Sequence, residues 1–83
     1  MKIMNATYYK TRDLYLSSFL LSSGELTLSG TESVGKEIYF QFTPRDRAVE
    51  LAQQYWSDRA PSIQPRQLFQ SLRSLKDLLF SGS

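Results

Sequence analysis

The run KEIYFQF at residues 36–42 constrains this chain more than any other stretch. Successive side chains of an extended strand point to opposite faces, so Ile38, Phe40 and Phe42 share one side while Glu37, Tyr39 and Gln41 share the other. A strand with three large apolar groups on one face needs a neighbouring strand and a cover. The segment ELTLS, residues 25–29, supplies the neighbour, with Leu26 and Leu28 on a common side. Between the two lies GTESVG, residues 30–35, which is rich in turn formers. Together they predict an antiparallel hairpin. The aromatics of ATYYK, residues 6–10, suit a third, N-terminal edge strand.

The cover has to be helical, because the remaining apolar residues recur with helical spacing. Residues 12–23 read as a first helix, with Thr11 as N-cap, Asp13 in the first turn and Gly24 ending the helix in the left-handed region. Tyr15, Leu16, Phe19 and Leu20 form its core arc. In TPRDRAVELAQQYW, Thr43 caps a second helix, Pro44 takes the first helical position and Asp46 completes an approximate capping box. Val49, Ala52 and Trp56 make the stripe of that helix, widened by Ala48, Leu51 and Tyr55, and Trp56 is expected as a core anchor. After the break SDRAPSI, Pro65 opens a last helix with Leu68, Leu72, Leu75 and Leu79 on one narrow face. The expected fold is therefore a two-layer α+β domain, a hairpin with the N-terminal edge strand covered by three helices, in the order (β)αββαα. At 83 residues the chain is one domain, 1–83.

Composition removes much chemistry. The chain has no cysteine and no histidine, so disulfide staples, the commonest general base and the usual structural zinc ligands are all absent. The eight carboxylates are scattered, and Asp13 and Asp46 serve helix starts better than a shared site. The octet GTESVGKE, Gly30–Glu37, satisfies G-x-x-x-x-G-K. A phosphate loop also needs a hydroxyl next and a helix N-terminus behind it. Here Glu37 takes the hydroxyl position, Glu32 would repel phosphate, and a strand pattern follows, so the octet reads as a hairpin turn. Ser33 and Lys36 fit S-x-x-K without the accompanying motifs. No catalytic residue, cofactor or metal is assigned, and the chain is read as a non-enzyme. Apolar runs no longer than triplets, such as Phe19-Leu20-Leu21, and a start without an apolar leader segment predict a cytoplasmic protein with no membrane partner. On that reading the Asn5-Ala6-Thr7 sequon has no meaning.

What remains is surface. At 100° per residue, Phe69, Arg73, Lys76 and Phe80 fall on one stripe of the last helix, with Arg66 nearby. Cations interleaved with rings suit a phosphate backbone carrying exposed bases. The competing reading has Phe69 widening the core, Phe80 folding over the helix end, and the cationic stems lying along the rings. Asp77 blunts the stripe. Arg45 and Arg47 form a second basic spot at the start of the middle helix, where cations oppose the dipole. In the first helix Leu14 and Leu21 stack opposite the core arc, framed by Ser18 and other serines. Such an edge fits close approach by a helix of the same chain or by a second copy, and the homodimer is the favoured expectation. Nucleic acid is the expected partner, and an adaptor or homodimeric subunit built on Leu14, Leu21 and exposed aromatics is the alternative.

The run Tyr9-Lys10-Thr11-Arg12-Asp13-Leu14-Tyr15-Leu16, the pair Tyr55-Trp56 and the closing Arg73-Ser74-Leu75-Lys76-Asp77-Leu78-Leu79-Phe80 resemble a small prokaryotic domain family of unknown function. The resemblance implies the same helix, hairpin, helix, helix order and an intracellular protein. It carries no activity, cofactor or site residue.

Overall fold

The structure is a computed structural model and describes residues 8–80. The elements run β1 (Tyr9–Thr11), α1 (Leu14–Ser22), β2 (Thr27–Val34), β3 (Glu37–Thr43), α2 (Arg45–Trp56) and α3 (Pro65–Phe80). This is the expected α+β class and element order. The three strands form one antiparallel sheet in the order β1-β3-β2, so the alternating segment is its central strand. Of the expected edge-strand residues, Ala6 and Thr7 lie outside the described residues, as does the Asn5-Ala6-Thr7 sequon; the strand itself continues to Thr11.

The register shows why β3 dominates. Tyr9 and Leu28 both pair with Phe42, and Thr11 and Thr31 both pair with Phe40. Phe40 and Phe42 are fully buried on the helix-covered face. The opposite face is open and carries paired charges. Lys10 meets Glu32 at 2.7 Å across β3, Arg12 pairs with Glu37, and the Tyr39 hydroxyl donates to Glu37. A bulge between Leu28 and Gly30 leaves Ser29 without a partner residue in the ladder, and the Ser29 hydroxyl lies 3.2 Å from that of Thr43.

The octet Gly30–Glu37 is indeed hairpin. β2 continues through most of it, and Val34 pairs with Glu37 around a two-residue loop of Gly35 and Lys36. Gly35 has φ +61°. Positive φ at the first central position alone is the signature of a type II′ turn, whose twist matches that of the strands. No helix follows the glycines, so no helix dipole faces an anion there.

Two caps differ from expectation. The N-cap of α1 is Asp13, whose carboxylate accepts from the Leu16 amide at 2.9 Å. Thr11 is held in β1 opposite Phe40, and its hydroxyl accepts from the Asp13 amide at 3.1 Å. Thr43 ends β3 and does not cap α2, whose N-cap position is Pro44 with no side-chain cap bond. Gly24 ends α1 as expected, at φ +77° just past the C-cap Ser23.

The core joins Leu16, Phe19 and Leu20 of α1, Leu26 of the α1–β2 connection, Phe40 and Phe42 of β3, Ala48, Leu51 and Ala52 of α2, and Leu75 of α3. The main packing contact of α3 is with α1. Helix α1 is thus central, buried along five consecutive residues, Leu16–Leu20. Trp56 is not a core anchor. It is 63% exposed, because the buried surface of α2 ends at Ala52, and its ring meets that of Tyr55 edge-on at 5.0 Å.

Candidate functional site

The α3 sequence separates two faces. Leu75 is buried, with Leu68 and Leu79 packed on the core beside it. Turned away from them are Phe69, 64% exposed, and Phe80, 83% exposed. Neither ring widens the core. Burying an apolar ring is the ordinary outcome for a chain this short of core, so two exposed phenylalanines on one helix face call for an account.

The cations expected beside them are there. Phe69, Leu72, Arg73, Lys76, Asp77 and Phe80 line one shallow groove of about 350 Å³. Arg66, Phe69, Gln70 and Arg73 line a second of about 260 Å³. Arg66, Arg73 and Lys76 make no ion pair among the described residues, although Asp77 stands in the same groove as two of them. From Arg66 to Phe80 the stripe runs for about 21 Å at 1.5 Å per residue. It can attract an anionic chain electrostatically and offer rings to planar groups. It presents no nucleophile with an adjacent base, and among the described residues no cluster of three or more carboxylates could hold a metal.

Arg45 and Arg47 do not join this surface. The Arg47 guanidinium donates to both carboxylate oxygens of Glu25, at 2.7 and 3.1 Å, and to Glu50 at 2.9 Å. This bidentate grip raises the guanidinium pKa further above its usual range and, through the hydrogen bond first, lowers that of Glu25. Arg47 therefore ties the start of α2 to the α1–β2 connection, which explains a cation at a helix N-terminus without a ligand. Arg45 approaches Asp46 only loosely, at 3.9 Å.

The Leu14, Ser18 and Leu21 edge takes part in packing within the chain. Ser18 is buried, and its hydroxyl donates to the Leu14 carbonyl at 2.8 Å. Leu14 and Leu21 pack partly buried against the core, and Leu21 lines a crevice with Gln67, Ser71 and Ser74 of α3. Small residues on both helices allow that approach, so the intrachain option accounts for the serines.

Sequence reasoning missed Tyr15 and Tyr55, which it placed on core faces. Tyr15 is 65% exposed. With Phe19, Tyr55, Leu68, Phe69 and Leu72 it lines a mainly apolar groove of about 290 Å³ between α1, α2 and α3. Burial and then the charge of Asp13 raise the Tyr55 phenol pKa, and the same two causes act on Tyr9. Only long-range packing brings these rings to Phe69, and no local spacing signals it.

No family model matches the chain, and neither does any curated protein or solved structure. No residue here takes a role from a relative.

Proposed function

We propose that this chain is a small non-enzymatic binding module that holds nucleic acid along the exposed face of α3. Arg66, Arg73 and Lys76 contact phosphates, and Phe69 and Phe80 supply surfaces for base stacking. The observation that supports this reading is the co-location of two largely exposed phenylalanines with three cations free of ion pairs among the described residues. A solvated helix face needs the cations but not the rings. Exposed rings favour single strands, whose bases are available for stacking.

The test is fluorescence anisotropy with labelled single-stranded and duplex oligonucleotides over a range of salt. Three phosphate contacts predict a log–log salt slope of about −2 for a single strand. Arg73→Glu combined with Lys76→Glu abolishes binding. Salt-independent binding, or binding that survives the double reversal, refutes the reading. Adsorption to vesicles of anionic lipid without oligonucleotide binding transfers the stripe to a membrane surface instead. The adaptor alternative would draw on the exposed aromatics, with Leu14 and Leu21 partly buried against the core.

A further inference from the structure

Phe69 belongs to two environments at once. On one side it shares grooves with Arg66, Arg73 and Lys76. On the other it borders the apolar groove of Tyr15, Phe19, Tyr55, Leu68 and Leu72. We infer that this apolar groove is a base pocket, into which a nucleobase unstacked from a single strand turns past Phe69 while its phosphates stay on the cationic stripe.

The inference rests on the nucleic-acid reading and adds a recognition element to it. Three features carry it. The groove sits against the cationic stripe, so charge complementarity selects an anionic ligand whose planar group can reach an apolar site. Two of the lining rings, Tyr15 and Phe69, are each about two-thirds exposed, which leaves ring faces available. Beneath them the Phe19 and Tyr55 rings contact one another at 5.4 Å with a 34° tilt and give the groove an aromatic floor. The volume of about 290 Å³ lies at the low end for small-molecule sites, which run from roughly 300 to 1,000 Å³. That suits a single planar ring system better than a bulky ligand. A duplex keeps its bases stacked and cannot fill the groove, so the pocket sets a preference for single strands.

Tyr15 is the informative position, because its exposure lets it change without disturbing the core. The probe is a fluorescein-labelled oligothymidylate compared with a labelled duplex of equal length. The sole tryptophan, Trp56, reports on the groove through its contact with Tyr55. Tyr15→Ser should weaken single-strand binding by at least about fivefold and leave duplex binding nearly unchanged, and Tyr15→Phe should restore it. Trp56 emission should change on adding the single strand and not on adding the duplex. If the strand binds and the Arg73→Glu, Lys76→Glu double reversal abolishes that binding, while Tyr15→Ser behaves as the parent, the base pocket is overturned and the cationic stripe stands. If neither oligonucleotide binds, both fall together. Self-association removed by Tyr15→Ser would assign the groove to a second copy and overturn the inference.

Discussion

Replacing Ser17 with alanine should stabilise this protein, an unusual expectation for a core position. The Ser17 side chain is fully buried, and its hydroxyl has no hydrogen-bond partner among the described residues. An unsatisfied buried hydroxyl costs about 1–3 kcal/mol relative to water. Alanine also propagates a helix better than serine by roughly 0.5 kcal/mol. Against these stands the loss of the packing of one oxygen atom, so the net gain is about 1.5 kcal/mol. For a domain of this size that raises Tm by roughly 6–12 °C. The neighbouring buried serine is the control. Ser18 donates to the Leu14 carbonyl at 2.8 Å, so Ser18→Ala exchanges a hydrogen bond worth about 1 kcal/mol for the same propensity gain and should be neutral or slightly destabilising. Thermal and urea melts followed by circular dichroism read both. A Ser17→Ala protein no more stable than its parent would refute the reasoning, because the hydroxyl would then have a partner such as an internal water.

Asp13→Ala removes the α1 N-cap and should cost about 1 kcal/mol, whereas Asp13→Asn keeps an accepting oxygen and most of the stability in the same melts. Gly35→Ala forces a Cβ into φ +61° at the hairpin turn and should cost roughly 1–2 kcal/mol, with Gly35→Asn milder. Glu25 has its pKa lowered from 4.5 by Arg47, so its contribution is present above that value and disappears as pH falls through the lower folded value. Acid titration of Glu25→Gln should therefore show a shallower loss of stability below about pH 4.5 than the parent.

The parts of the fold legible in the sequence are those specified by local periodicity. Ile38, Phe40 and Phe42 announce β3, and Leu68, Leu75 and Leu79 announce the inner face of α3, while Leu72, on the same expected stripe, lines the grooves beside it. The parts that were not legible are competitions between residues with equal local claims. Thr11 and Asp13 can each cap α1, and the choice depends on Thr11 pairing with Phe40, far along the chain. Trp56 continues the α2 stripe in spacing, yet the core beneath that stripe has already ended. Leu14 and Leu21 declare that something packs on them without saying whether it belongs to the same molecule. The stripe of Arg66, Phe69, Arg73, Lys76 and Phe80 was legible because all five residues lie on one helix. The groove beside it was not, because Tyr15, Tyr55 and Phe69 come from three helices.

The interrupted ladder of β2 matters for what the molecule avoids. β2 lies at the margin of the sheet, and a continuous margin invites strands from other molecules to extend it. The dislocation at Ser29 breaks the regular spacing of its outward-facing amides and carbonyls. An incoming copy cannot match hydrogen bonds along the whole length. The same irregularity that follows Leu28 thus guards a small, disulfide-free domain against growth into fibrils.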